Sequence, residues 1–250
     1  MHPTVLTYHK IGRQLELGIT TITRRRFKTQ LDRIAESAGR LVRATDAVSC
    51  APQSGHVGLT FDDGYECVYT EAFPEMAGRG IRGTVFVVVD SIGRWNAWDV
   101  RLSCRRVRHL SWPQIRELVC YGFEFGSHGL SHRDLTKVSR IMLREELRAS
   151  KMILEDHIGV RIDLLSYPFG RFSPRVIDEA KEAGYTYGFA SYPQPGFSRM
   201  AIGRMAVYSI DHLGSLRAKL GLGRGYRFEC LKNKVISKLS LGTTLVKRQG

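Results

Sequence analysis

The feature that most constrains this chain is an alternation of short β-rich runs with helical patterns, repeated nearly from end to end. Val5-Leu6-Thr7-Tyr8 reads as a first strand, and residues 24–38 as a helix with Phe27, Leu31 and Ile34 on one face. Residues 57–61 form the next strand and 66–78 the next helix. The run 83–89, Gly-Thr-Val-Phe-Val-Val-Val, is the strongest strand, apolar enough to be buried on both faces. An irregular stretch over 90–110 carries Trp95 and Trp98. Ser111, with Pro113 behind it, then opens a helix that Gly122 stops. A short strand over 123–126 precedes a long helix opened by Ser139, with Leu143, Leu147, Leu154 and Ile158 near four-residue spacing. A strand over 164–168, a helix from Ser173-Pro174 to Gly184, and runs over 185–190 and 205–209 complete the series.

Such an order implies an α/β domain, a parallel sheet with its helices outside. Six or seven units fit a closed or partly closed barrel, and equally an open doubly wound sheet. Either architecture gathers ligands at the carboxyl ends of the strands. The 250 residues, 43% of them hydrophobic, suit one such domain, read as residues 1–222. Residues 223–250 read as a basic extension, in which Arg224, Arg227, Lys232, Lys234, Lys238, Lys247 and Arg248 face a single acid, Glu229. Leu231, Val235, Ile236, Leu239 and Leu241 are interspersed, so two readings stand: weak contact with anionic membrane lipid, or a solvated helix.

Other classes fall away on composition. No apolar run approaches the roughly 20 residues of a membrane span. Residues 1–17 carry His2, Lys10, Arg13 and Glu16, unlike a signal peptide, so a cytoplasmic location is expected, at most peripheral to the inner membrane face. The five cysteines (Cys50, Cys67, Cys104, Cys120 and Cys230) form no CxxC pair and are expected as small buried thiols. A net charge of +14 and a pI of about 9.9 would suit an anionic partner. No interleaved aromatic and basic motif accompanies that charge, and no nucleic acid partner is expected.

Two segments carry chemistry. Thr60-Phe61-Asp62-Asp63-Gly64 puts adjacent carboxylates where a strand gives way to a turn, and residues 125–132 leave another strand with His128 and His132 four residues apart. On one helical turn, an i, i+4 pair of imidazoles faces one side, close enough to share a metal. One carboxylate and two imidazoles make a facial triad that leaves metal positions open, and the second carboxylate is free to take a proton from water.

With Tyr167-Pro168-Phe169-Gly170 these segments resemble, in order and spacing, the successive motifs of the polysaccharide deacetylases, the carbohydrate esterase family 4 group that includes the rhizobial chitooligosaccharide deacetylase domain. The likeness runs over about residues 57–190, and Trp112 before its helix adds to it. It implies a distorted (β/α)7 barrel in a single domain. It implies a hydrolase that removes N-acetyl groups from an N-acetylhexosamine-containing polysaccharide or oligosaccharide. Asp63, His128 and His132 would hold a divalent metal, zinc foremost, with cobalt, manganese or nickel as alternatives; Asp62 would be the general base. The backbone N–H of Phe169 would face the oxyanion, with Tyr167 beside the substrate. The same site would serve another amide or an ester, and a catalytically dead carbohydrate-binding relative is the remaining alternative.

Two positions depart from the family pattern. Many members have an arginine ahead of the Tyr-Pro pair that orients the base, and here Ser166 stands there, so the partner of Asp62 must come from elsewhere. Many also have a late histidine as general acid. Ile210-Asp211-His212 fits superficially, but His9, leaving the first strand, is preferred, because the opening Thr7-Tyr8-His9 is similar to the poly-N-acetylglucosamine deacetylase branch. Trp95 and Trp98 either stack on sugar rings or plug the barrel end.

Overall fold

The structure is a computed structural model, and it describes residues 4–12, 19–37, 39–49, 55–96, 107–192 and 198–239. β1 (Thr4–Tyr8) leads through a two-stranded ribbon, β2 (Lys10–Gly12) and β3 (Thr21–Thr23), into α1 (Arg24–Ser37). Phe27, Leu31 and Ile34 of α1 are fully buried. β4 (Arg40–Val42), α2 (Ala44–Ser49) and β5 (His56–Phe61) follow, then a wide π turn over Val68–Ala72 that runs into α3 (Phe73–Ala77). Beyond β6 (Thr84–Val87) come α4 (Trp112–Cys120), β7 (Glu124–Ser127), α5 (Arg140–Ile158), β8 (Leu164–Ser166), α6 (Pro174–Glu182) and β9 (Tyr187–Ala190). The helix starts are set by side chains. Gln114 Oε1 accepts from the Ser111 N–H at 2.8 Å, Ser139 Oγ from Met142 and Ser173 Oγ from Val176, each at 3.3 Å.

The run over 205–209, expected as one strand, is instead the second half of a seam. β10 (Ile202–Gly203) pairs with β9 and β11 (Met205–Ala206) pairs with β1, all parallel. The sheet order is β10-β9-β8-β7-β6-β5-β1-β11, so its two ends are consecutive in sequence with only Arg204 between them. The Arg204 N–H still bonds Ala190 O at 3.2 Å, while Val207 N–H bonds Thr7 O at 2.9 Å. The chain therefore crosses from one sheet edge to the other at residue 204, and the parallel sheet is nearly closed into a barrel, which rules out the open doubly wound alternative.

Period-two alternation along each strand then sorts side chains between inside and outside. Val5, Phe86, Leu164, Phe189 and Ile202 form an apolar layer with Ala44 and Ala47 of α2, which stoppers the far end. Leu6, Leu59, Phe61, Val85 and Leu165 belong to the larger outer core under the helices. Above the apolar layer the inward positions turn polar: Thr7, Thr60 and Ser166, all buried. Gly126 is dictated by this packing, since a Cβ there would lie 2.5 Å from the Phe86 ring.

α7 (Leu213–Lys219) and α8 (Tyr226–Leu239) complete the described chain. α8 is anchored to the barrel: Asn233 Oδ1 accepts from the Ala206 N–H at 2.8 Å, and Glu229 is buried beside Lys219. Lys247, Arg248 and Leu241 lie outside the described residues. The expectation of buried thiols fails where it can be tested. Cys120 is exposed at the end of α4, and Cys67 and Cys230 are half-buried; Cys50 and Cys104 lie outside the described residues. Trp95 is 52% exposed beneath the Arg108 guanidinium, so it plugs nothing; Trp98 also lies outside the described residues.

Candidate active site

The alternation that points Thr60 inward and Phe61 outward points Asp62 inward, and its N–H extends the pairing with β1 by bonding Tyr8 O at 2.9 Å. The chain then reverses through two left-handed residues, Asp63 (φ 71) and Gly64 (φ 63). Gly64 is required by space as well, because a Cβ would sit 2.7 Å from Val87 Cγ1. A left-handed aspartate costs of order 1 kcal/mol or more. It is held by His109, whose Nδ1–H donates to Asp63 O at 2.9 Å while the ring stacks on Tyr65 at 4.9 Å.

Beyond β7, His128 and His132 do not share a helical turn, contrary to the expectation from their spacing. They occupy a loop that turns at Gly129 (φ 80) and at His132 itself (φ 57). Glu146 of α5, 1% exposed, fixes this loop by accepting from the N–H groups of Leu130 and Ser131 at 2.9 and 3.0 Å and from the Ser131 hydroxyl. His128 Nδ1–H donates to Ser166 O at 2.8 Å, which leaves its Nε2 lone pair turned inward. The result is one ligand atom each from Asp63, His128 and His132, all within 4.8 Å of one another.

Asp63 Oδ1 lies 3.5 Å from His128 Nε2 and 3.6 Å from His132 Nε2. Bonds of about 2.0–2.1 Å to a tetrahedral ion set ligand atoms about 3.3 Å apart, so this set fits a divalent transition metal. Burial, with the charge of His128 second, pulls the His132 pKa down to about 3. The His132 imidazole is therefore neutral at neutral pH. Burial pushes Asp63 up, but the His128 hydrogen bond and the neighbouring imidazoles overcome it and hold its carboxyl well below the usual range.

Asp62 is held by a residue the motifs did not reveal. Arg204, 1% exposed, donates from Nη1 to Oδ1 at 2.7 Å and from Nη2 to Oδ2 at 2.8 Å. It also donates to Thr60 Oγ1 at 3.3 Å and Ser166 Oγ at 2.8 Å, and its guanidinium lies over the rings of Phe86 and Phe189 at 5.2 and 5.7 Å. Burial raises the Asp62 pKa, but the Arg204 guanidinium and then His128 outweigh it, and the carboxyl is held below its ordinary value.

His9 follows β1 and lies within electrostatic reach of Asp62, Asp63 and His132, with a buried Nδ1 that has no hydrogen-bond partner among the described residues. His212 is elsewhere in its duties: its Nδ1 accepts from the Ser215 N–H at 3.2 Å as the N-cap of α7. Tyr167 does not face a substrate. It is fully buried, its N–H bonds Phe189 O at 3.0 Å and its hydroxyl bonds Met200 O at 2.8 Å, because an outward position on β8 points it into the outer core. Phe169 does stand at the site, left-handed at φ 60, with its ring edge-on to His132 at 4.7 Å and its carbonyl accepting from Ser237 of α8 at 3.3 Å.

A family model described as polysaccharide deacetylase matches residues 51–188, which span β5 to β8 and both motif-bearing strand ends. The chain belongs to the polysaccharide deacetylase family. Within this family it is similar to YxkH of Bacillus subtilis (strain 168), 26% identical over 159 residues, 64% of this chain and 52% of that protein. It is also similar to the poly-beta-1,6-N-acetyl-D-glucosamine N-deacetylase of Staphylococcus aureus (strain MSSA476), 24% identical over 143 residues, 54% of this chain and 47% of that one. The chain thus spans about half the length of the curated relatives it matches. Among solved structures, IcaB from Ammonifex degensii superposes with a TM-score of 0.70 at 24% identity, covering 88% of this chain and 95% of that one, a likeness of fold.

Proposed function

We propose that this chain is a metal-dependent hydrolase that removes N-acetyl groups from an N-acetylhexosamine glycan. The observation that carries the reading is the split between two adjacent carboxylates: Asp63 converges with His128 and His132, while Asp62 is tied to Arg204 beside them. The poly-N-acetylglucosamine relative supplies the substrate class.

A divalent ion held by Asp63, His128 and His132 supplies Lewis-acid polarisation of the acetyl carbonyl and a water of lowered pKa. Asp62 accepts the proton of the attacking water, and its bidentate hold keeps the carboxylate in one orientation. His9, whose buried Nδ1 has no hydrogen-bond partner among the described residues, donates the proton that the departing amine requires. The Phe169 N–H, on a residue packed against His132, stabilises the oxyanion.

The test is acetate release from a panel of N-acetylglucosamine oligomers by metal-reconstituted protein. Release by wild type, its loss together with bound metal in Asp63→Ala, and a drop of about 10²-fold in kcat in His9→Ala with metal retained are expected. No release from any oligomer by protein carrying one metal per chain would reject the reading.

A further inference from the structure

The last described helix, α8, has two unlike faces. One is bonded to the barrel and its charges are matched: Asn233 accepts from the Ala206 N–H, Glu229 is buried, and Lys232 lies 2.6 Å from both Glu229 and Asp211. The opposite face is left to solvent. Phe228, Leu231 and Val235 follow one another at steps of three and four residues, which sets them in one row along the helix, and they are 66%, 59% and 46% exposed. Arg227 and Lys234, seven residues apart and both exposed, run beside that row, and Arg224 stands exposed just ahead of the helix. The one acid of α8, Glu229, is on the inner face, so no carboxylate of the helix meets these cations outside.

An apolar row in water, edged by cations and free of anions, is the pattern of a helix that lies in the plane of a lipid interface. Its apolar side chains enter the boundary between headgroups and acyl chains, and its bases meet anionic headgroups. The three side chains project from a convex helix face, which suits a fluid layer that closes around them better than a partner that must offer a shaped pocket. The geometry is that of lying on a bilayer, since no described helix is long and apolar enough to cross one. The helix also fixes where the bilayer would lie. Two residues beyond Val235, the Ser237 hydroxyl donates to Phe169 O at 3.3 Å, and the Phe169 ring stands edge-on to His132. The exposed row therefore ends beside the metal-ligand cluster.

We propose that α8 is a docking surface for an anionic lipid bilayer, with Phe228, Leu231 and Val235 inserted at the headgroup boundary and Arg224, Arg227 and Lys234 against the lipid phosphates. Of the two readings open to the basic extension, a solvated helix and a lipid contact, the anchored inner face and the bare apolar row favour the second. The inference stands apart from the hydrolase reading, because vesicle binding is measured whether or not the protein releases acetate.

The experiment sediments the full chain with vesicles of phosphatidylcholine alone, or of phosphatidylcholine with about 30% phosphatidylglycerol. Wild type is compared with Phe228→Ser/Leu231→Ser, which keeps the charge, and with Arg227→Gln/Lys234→Gln, which keeps the apolar row. All four positions are exposed, so an unchanged Tm is expected in both. Wild type should bind the anionic vesicles at least about 10-fold more tightly than the neutral ones, and each pair of substitutions should weaken that binding about 10-fold. Phe228→Trp reports insertion directly: brominated lipid should quench its fluorescence beyond any quenching in wild type. Equal binding by wild type and Phe228→Ser/Leu231→Ser overturns the proposal, leaving only adsorption of a cationic protein, and so does a Phe228→Trp variant that brominated lipid fails to quench. A wild type that binds neither vesicle but dimerises, with the dimer lost in Phe228→Ser/Leu231→Ser, also overturns it and gives the face to a second copy of the chain.

Discussion

The barrel holds two buried clusters of charge, and they differ in one respect. At the carboxyl end of β5, Asp62 and Asp63 face a single guanidinium, Arg204, and two imidazoles. Under α7 and α8, Asp211 and Glu229 face two ammonium groups. Lys219 pairs with Asp211 and, at 3.5 Å, with Glu229, while Lys232 lies 2.6 Å from each. The second cluster is neutral and its groups are further satisfied by Ala206 O and the Tyr208 N–H, so it works as a staple between the last helices and the sheet. The first has one permanent cation for two carboxylates, and the rest of the counter-charge falls to a titratable imidazole, His128. Burial is common to both; a deficit of permanent positive charge with inward-facing ligand atoms is what marks a site rather than a strut.

Substitutions can break this contrast. The largest effect is expected from Asp62→Asn, which should lower kcat by about 10²–10⁴-fold while leaving one metal per chain by elemental analysis. A variant that loses its metal would mean that Asp62 is a ligand after all. Lys219→Met should do the opposite, costing about 3–5 kcal/mol of stability in denaturant titration because it strands buried carboxylates, with KM and metal affinity of the folded protein unchanged.

A pH series sharpens the contrast further. Burial lowers the His128 pKa, but Asp62 and the Asp63 hydrogen bond raise it more, so the net shift is upward. In metal-free protein that pairing adds stability below about pH 6.5, and the contribution is lost as pH rises through the raised value. Metal requires the neutral ring, so the Tm gained on adding Zn²⁺ should widen between about pH 6 and pH 8. A gap that narrows over this range would remove His128 from the ligand set. The smallest effect belongs to His212→Ala, expected to cost about 1 kcal/mol as a lost helix cap and to leave kcat unaltered; a large fall in kcat would restore it as a candidate acid.

The parallel strand-helix order and the candidate ligand residues were legible because both are written locally, whereas closure into a barrel was implied only by the family resemblance. Strand-helix alternation survives in single runs, and the Asp-Asp-Gly and His-x-x-x-His segments each sit on one strand end. The loop shape around His132 was not legible, since a left-handed histidine is held by Glu146 from another element. Arg204 was hidden for a similar reason: it is one of 38 lysines and arginines and has no motif of its own. A signal existed nonetheless. Met200-Ala201-Ile202-Gly203-Arg204-Met205-Ala206-Val207 is apolar apart from that arginine. A charge embedded in such a run demands a buried counterpart, and with Ser166 in the usual arginine position, Asp62 was the carboxylate lacking one. Tyr167 misled in the other direction, because a motif fixes a residue's position along a strand while the pleat decides which way it looks.

The crossing at residue 204 also orders events during synthesis. Asp62, Asp63, His128 and His132 all leave the ribosome before the arginine, which reaches Asp62 across a sequence separation of 142. So distant a contact forms only after the closure entropy of the long loop has been met, which places it late in the folding reaction. Until then the nascent sheet is an open ribbon with an unpaired edge, and its polar layer is hydrated. The final strand thus dries the pocket, seals the edge and neutralises one carboxylate in a single step, so a nascent chain stalled before this point exposes sheet edges rather than a functioning pocket.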